Sequence, residues 1–229
     1  MIKYLILSSV LVLSMFFGKN VCETKKQTNV TYLSGIDISK YQGNIDWSSI
    51  DTTKVKFVFI KSSEGSSHKD RMFRKNLNGA LSRKIRTSAY HRFSISSSGT
   101  QQFKNYSEIV PVLKGMLPPS IDLLNLSVCP EERKVHVIRE LKVFTDLLKK
   151  RYGKSPIFYL NGKIQYDFIK DNFNDNTFWL LKHGNSEPYI FQNQENQFWQ
   201  HSTTGRIKGI NGNVDMNYFK GTVQDLQNL

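Results

Sequence analysis

Short apolar runs rich in β-branched and aromatic residues recur along the chain from Thr31 onward, and stretches of helical periodicity separate several of them. This alternation is typical of parallel strands joined by crossover helices. We therefore predict one sheet of largely parallel strands, with the strands at 35–39, 57–63, 87–93, 120–124, 156–160, 178–182 and 197–201.

One helix is predicted clearly, after the fourth strand. Pro130 and two acidic residues fit its first turn, a basic run closes it, and Gly153 lies beyond. Apolar residues at three- and four-residue spacing predict a buried face made of Val135, Ile138, Leu141, Phe144 and Leu148. No repeat or linker divides the chain after about residue 30, so we predict a single α/β domain at 31–221, built as a barrel, regular or depleted.

The first 22 residues are predicted to be a secretory signal peptide. Residues 4–17 form an uncharged apolar run after a basic start, and the run is short for a bilayer span. An uncleaved anchor is one alternative. Lipidation of Cys22 is another, although Lys19 and Asn20 fit such a signal poorly. We expect a secreted, periplasmic or extracellular monomer that contacts a membrane only if Cys22 is lipidated, with no disulfide framework around Cys129.

Charge narrows the choice of partner. The chain has 32 Lys+Arg and 19 Asp+Glu, a net charge of +13. Removing Lys3 and Lys19 with the signal leaves 30 basic and 19 acidic side chains, a charge of +11. Nucleic acid, an anionic membrane and the bacterial cell wall all attract such a body. Because the basic residues are scattered and no nucleic-acid motif is present, we expect no nucleic-acid partner.

Four carboxylates follow or end predicted strands: Asp37, Glu64, Asp122 and Asp215. In barrels of this class the reacting groups lie at the carboxyl ends of strands. Each acid alone could simply cap a helix or order a turn. Four acids in one polar mouth repel one another unless the chemistry uses them, as when glycosidases place carboxylates around the scissile bond.

Aromatic side chains lie in the same segments, with Tyr90, Tyr159 and Trp199 placed to stack on sugar rings and Gln200 beside them. Phe93 and Trp179 are predicted to be core residues. His91 has no second His or Cys at ligand spacing, so we expect a hydrogen-bonded histidine in the cleft and no metal site. No organic cofactor is indicated either.

These motifs together resemble glycoside hydrolase family 25. The resemblance is carried in order by GIDISKYQG, VKFVFIKSSEG, AYHRF, LPPSIDLL and FWQHSTTGRIKGINGNVDMNYF, between Gly35 and Phe219. It implies an irregular TIM-like barrel with few helices. The activity it implies is that of a muramidase, a lysozyme that cuts the β-1,4 bond between N-acetylmuramic acid and N-acetylglucosamine in peptidoglycan. It further implies a cleft lined by the four carboxylates, with Tyr90, Trp199 and Gln200 near the sugar.

One position departs from the pattern that the resemblance implies. The family's strand reads Asp-x-Glu and its Glu is the general acid, whereas Leu124 follows Asp122-Leu123 here. Residues i and i+2 of a strand share a face about 6.5–7 Å apart, so that spacing brings two carboxyls to one bond. The sequence allows two hypotheses. The first is a weakly active muramidase that uses Glu64 or another acid. The second is a catalytically inactive protein that binds peptidoglycan or a protein partner in the same cleft.

Overall fold

The computed structural model describes residues 31–173, 176–188 and 197–229. Its strands are β1 Tyr32–Ile38, β2 Phe57–Glu64, β3 His68–Lys69, β4 Arg86–Arg92, β5 Ser120–Asp122, β6 Ile157–Leu160, β7 Phe178–Leu181, β8 Gln197–Gly205 and β9 Val214–Lys220. The prediction of a signal peptide at 1–22, with Cys22, lies outside the described residues.

The strands form a closed barrel. Their order in the sheet is β1-β9-β8-β7-β6-β5-β4-β2-β3, and β1 also pairs with β2, so eight strands close and β3 extends from β2 as a hairpin. Neighbours from β1 through β2 and β4 to β8 are parallel, while β9 is antiparallel to both β8 and β1. The predicted barrel is confirmed. The sheet is mixed, however, because β9, which the apolar pattern did not predict, closes it in the antiparallel sense.

Few helices accompany the strands. They are α1 Phe73–Ser82, α2 Gly99–Ser107, α3 Lys134–Tyr152, α4 Gly162–Ile164, which continues as a π-helical turn over Gln165–Ile169, and α5 Val223–Asn228. The predicted helix is α3, and it ends at Gly153 in the left-handed conformation (φ 72°). Its buried face begins at Val137, since Val135 is 82% exposed, so the prediction for Val135 was wrong.

Two apolar layers follow from the alternation of side chains along each strand. One faces inward and fills the barrel; we call it the inner cluster, and it comprises Leu33, Phe57, Phe59, Leu117, Ile157, Tyr159, Trp179, Phe198, Phe219 and Leu226. The other lies between the strands and α1–α3. The interior is tight at Gly35, where an added Cβ would lie 2.5 Å from the ring of Phe57. Above this packed interior, inward-facing polar residues form the end of the barrel that we call the mouth.

The opposite, lower end of the barrel is closed by α5. Leu226 belongs to the inner cluster, and Arg86 donates to the carbonyl oxygens of Leu226 and Gln227 at 3.3 Å. Cys129 is a free thiol. Across the ranges that the structure describes, no helix is both long and apolar enough to cross a membrane.

Candidate active site at the mouth of the barrel

The structure brings all four predicted carboxylates to the mouth. Asp37 lies near the end of β1 and pairs across the antiparallel ladder with Asp215 at the start of β9. Glu64 ends β2 and Asp122 ends β5. These carboxylates form two pairs with different partners: one pair lies on β1 and β9, and the other lies at the ends of β2 and β5. The partners determine what each carboxylate can do.

Asp37 and Asp215 share one amide donor and have no Lys or Arg partner among the described residues. Gln200 Nε2 donates to Asp37 Oδ1 at 2.9 Å and lies 3.4 Å from Asp215 Oδ2. Asn217 Nδ2 also donates to Asp37 Oδ1, at 2.8 Å. Asp37 is only 6% exposed, whereas Asp215 is half-buried and faces the mouth.

The two amides are held by aromatic residues of the barrel interior. Tyr159 donates its phenolic hydrogen to Gln200 Oε1 at 2.7 Å, and Trp179 Nε1 donates to Asn217 Oδ1 at 2.7 Å. Each amide oxygen is thereby engaged, so each NH₂ group is left to face Asp37. Trp179 is itself fixed, because its ring stacks on Phe59 with centroids 4.0 Å apart.

Burial makes ionisation of this pair difficult. It raises the pKa of Asp37 well above its usual value, the negative charge of Asp215 adds to this, and the amide donors oppose it only in part. Burial also raises the pKa of Asp215, while the hydrogen bond with Asp37 and the nearby His183 lower it. Two adjacent carboxylates ionise together only at a cost, and burial makes that cost larger for Asp37 than for Asp215.

The other two carboxylates have cationic partners. Lys61 Nζ lies 2.7 Å from Glu64 Oε2, and Arg92 Nε lies 3.5 Å from Asp122 Oδ2. Although partial burial opposes it, Lys61 and Arg92 lower the pKa of Glu64. Burial raises the pKa of Asp122. The hydrogen bond from the backbone N–H of Leu124 and the positive charges of Arg92 and Lys61 oppose this rise. Glu64 is thus kept ionised, which argues against it as a stand-in proton donor.

Leu124 lies beside Asp122, but not on a strand as the sequence predicted. β5 ends at Asp122, Leu123 turns the chain with φ −104° and ψ 6°, and Leu124 begins a 3₁₀ helix. The backbone N–H of Leu124 donates to Asp122 Oδ1 at 3.0 Å. Its half-buried side chain packs against the inner cluster. The residue after Asp122-Leu123 is therefore apolar and close to the carboxylate.

The predicted binding residues separate into two groups. Tyr90, Tyr159 and Gln200 face inward with the carboxylates, since burial and the charges of Asp37 and Asp122 raise the pKa values of both tyrosines. Trp199 points outward, donates to Lys182 O at 2.6 Å, and lines a cavity of about 620 Å³ on the outer wall.

His91 lies outside the mouth. It is fully buried between β4 and the helices, where its ring hydrogen-bonds with Ser63 Oγ at 2.8 Å and Gln102 Oε1 at 3.1 Å. Burial lowers the pKa of His91 to about 4, and the bond to Gln102 opposes this. It is a hydrogen-bonded histidine, as expected, but it contacts the outer layer and not the cleft.

Three residues of the mouth were not singled out from the sequence: Lys61, Arg92 and Asn217. Side-chain alternation could have found them, because each lies two positions from, or directly across the ladder from, a predicted site residue. The described residues contain no group of three or more His, Cys, Asp or Glu side chains suited to a metal ion. The mouth thus offers two adjacent acids without a Lys or Arg partner among the described residues, two carboxylates paired with cations, and a set of fixed amide and phenol donors.

Comparison with known proteins agrees with this architecture. The family model of glycosyl hydrolases family 25 matches residues 36–210. The uncharacterised protein YegX of Escherichia coli is 31% identical over 204 residues, covering 85% of this chain and 72% of its own, and Lysozyme M1 of Streptomyces globisporus is 28% identical, covering 85% and 70%. The solved structure of a family 25 glycosyl hydrolase from Bacillus anthracis is similar with a TM-score of 0.77 and 33% identity, covering 86% of this chain and 92% of that one.

Proposed function

The chain belongs to glycosyl hydrolase family 25, and on that premise we propose that it acts on bacterial peptidoglycan in the mouth of its barrel, with hydrolysis weakened or lost. The substrate bond would be the β-1,4 link between N-acetylmuramic acid and N-acetylglucosamine. The name of one relative, Lysozyme M1, supports this choice. Asp37, Asp122, Asp215 and Glu64 would be the reacting and charge-stabilising groups, with Tyr90, Tyr159 and Gln200 contacting the sugar.

The observation that carries the proposal of weakened hydrolysis is Leu124. Its N–H donates to Asp122 and its side chain packs against the inner cluster, so no carboxyl stands where a donor two residues after Asp122 would be. A positioned general acid contributes about 10²- to 10⁴-fold in rate. The cleft keeps its binding groups without a donor at that position.

A second candidate is a silent protein that binds peptidoglycan, or a protein partner, in the same cleft. The pairing of Lys61 with Glu64 and of Arg92 with Asp122 favours it, because each cation engages a carboxylate that hydrolysis would need free. The two candidates differ in one measurement: release of new reducing ends from peptidoglycan that the protein binds.

The deciding experiment compares the wild type with Leu124→Glu and with Leu124→Gln, which matches the Glu side chain in size but has no acidic proton. Purified proteins are incubated with peptidoglycan, and reducing ends and bound protein are both measured. We expect slow release by the wild type, a gain of about 10²-fold or more for Leu124→Glu and no gain for Leu124→Gln. Binding without any release, even by Leu124→Glu, would favour the silent binder; absence of binding to peptidoglycan would exclude hydrolysis and leave only a protein partner for the cleft.

We also propose that the protein is exported, on the strength of the apolar run at 4–17. The N-terminal residue of protein recovered outside the producing cells, read by mass spectrometry, tests this. A start near residue 23 supports cleavage, and an acylated Cys22 supports the lipid anchor. An intact Met1 on protein that stays in the cytoplasm contradicts export.

A further inference from the structure

Among the described residues, one pair of acids at the mouth has no Lys or Arg partner. Asp37 and Asp215 lie directly opposite each other on β1 and β9, and the NH₂ group of Gln200 faces both. Glu64 and Asp122 each have a basic partner within 3.5 Å. A buried carboxylate without a cation keeps its charge only at high cost, and two such carboxylates in contact retain a proton.

The groups around this pair reinforce that state. Tyr90 on β4 and Tyr159 on β6 are neutral phenols, whose pKa values are raised by burial and by the charges of Asp37 and Asp122. Gln200 on β8 and Asn217 on β9 contribute uncharged amide donors. The basic group that acts on the pair is His183, which follows β7, is exposed and acts on Asp215. Lys61 on β2 is engaged by Glu64.

We propose that Asp37 and Asp215 hold one proton between them at neutral pH and serve as the general acid of this cleft, with Asp215 as the group that touches the substrate. The proposal rests on the proposed function, because it needs a glycan in the mouth. The two residues take different roles because their exposure differs. Asp37 is 6% exposed and holds the proton, whereas Asp215 is half-buried and accessible from the mouth. The raised pKa of Asp37 agrees with this geometry.

In this step one proton passes from the pair of acids to the leaving sugar. The proton on Asp37 moves across the hydrogen bond to Asp215 and then to the glycosidic oxygen as the bond between that oxygen and the sugar C1 breaks. The leaving oxygen takes the bonding electron pair and departs as a hydroxyl. Water then adds its oxygen to C1 and loses a proton to Asp122, from which solvent returns one proton to the Asp37–Asp215 pair. The net reaction consumes one water and forms two sugar ends.

The test uses two substrates that differ in their need for an acid. Peptidoglycan has a sugar alkoxide as leaving group and needs a proton, whereas an aryl β-glycoside of an N-acetylglucosamine oligosaccharide loses a phenolate and does not. Asp215→Asn is expected to slow peptidoglycan cleavage by about 10²-fold or more and aryl glycoside cleavage by only a few-fold. Asp51→Asn, an exposed acid on the segment that precedes β2 at the lower end of the barrel, is the control and leaves both rates unchanged.

A second readout does not depend on turnover. Carboxyl-carbon NMR of the full chain across pH is expected to show one proton retained by Asp37 near pH 7 in the wild type, and an altered Asp37 titration in Asp215→Asn. Equal loss on both substrates, or a fully ionised pair at pH 7, overturns the proposal. The proposal is also overturned if the protein binds peptidoglycan but cleaves neither substrate, although the proposed function then stands. Loss of binding by the wild type would instead contradict the proposed function itself.

Discussion

Single residues of β4 show how neighbouring positions acquire opposite roles. Tyr90 faces the inner cluster, Arg92 reaches Asp122 at the mouth, and His91 between them packs outward with its ring 4.9 Å from that of Phe144. His91 is neutral at pH 7, because burial lowers its pKa to about 4. His91 therefore contributes to the stability of the fold.

That contribution predicts a pH dependence of stability. In the unfolded chain a histidine titrates near pH 6.5, so between about pH 6.5 and 4 the unfolded state binds the additional proton. Stability from His91 is complete above pH 6.5 and is lost as pH falls toward 4. The shift corresponds to about 3 kcal/mol in total, of which about 2 kcal/mol is lost by pH 5.

His91→Gln isolates this effect, because Gln keeps polar atoms for Ser63 and Gln102 but does not titrate. We expect the wild type to lose about 2 kcal/mol more unfolding free energy than the variant between pH 7 and pH 5, measured by urea denaturation. The exposed His136→Gln serves as control and should keep the wild-type difference. Equal pH slopes for wild type and His91→Gln would contradict a buried neutral histidine.

The helices α2 and α3 approach each other closely at Gly99, the first residue of α2. An added Cβ there would collide with the carbonyl oxygen of Glu140 and lie 2.8 Å from the backbone nitrogen of Phe144. The N–H of Gly99 also donates to Glu140 Oε2 at 2.9 Å. The absence of a side chain is what lets the start of α2 dock on the middle of α3.

Gly99→Ala is therefore expected to destabilise the protein by about 1–3 kcal/mol, the range typical of overpacking. Gly162 is a matched control, since it also begins a helix but an added Cβ meets nothing within 4 Å. Gly162→Ala should be neutral or stabilise by a few tenths to about 1 kcal/mol. Thermal or urea unfolding measures the stability of both variants. A Gly99→Ala protein as stable as the wild type would mean that the two helices can move apart without a cost in free energy.

Elements and site were predictable from the sequence to different degrees. Strands with continuous apolar runs, such as 57–63 and 178–182, were predicted because both of their faces are buried. β9 was missed because polar residues such as Asp215 and Asn217 face the mouth and interrupt its apolar pattern. The end of β5 at Asp122 depends on a side chain accepting from the backbone of Leu124, which is a tertiary detail that periodicity does not encode. The pairing of Lys61 and Arg92 with the acids likewise requires the register between strands.

Exposed lysines lie at both ends of the barrel, and one group of them is separate from the mouth. The segments that precede strands and the carboxyl end of α3 lie at the lower end of the barrel, and exposed lysines there include Lys54, Lys114, Lys149 and Lys150. Two of these close α3, where cations also complement the helix dipole. A polymer attracted by this end would be held by a surface separate from the cleft.

This arrangement predicts that wall binding depends on salt while occupation of the cleft does not. The Debye length falls from about 10 Å at 0.1 M salt to about 3 Å at 1 M, so attraction between an anionic wall and the lower end should fade over that range. Retention on cell-wall sacculi is expected to drop by about tenfold or more, whereas affinity for a neutral N-acetylglucosamine oligosaccharide should change less than about twofold.

The position of the charge is tested by two variants of equal net charge. The first replaces Lys54, Lys114, Lys149 and Lys150 with Gln at the lower end, and the second replaces Lys75, Lys163, Lys182 and Lys208, which are exposed on the segments that follow strands at the mouth end. If the lower end holds the wall, the first variant loses most of its retention at 0.1 M salt and the second loses less. Equal losses would mean that net charge alone attracts the polymer, and salt-independent retention would assign wall binding to the cleft.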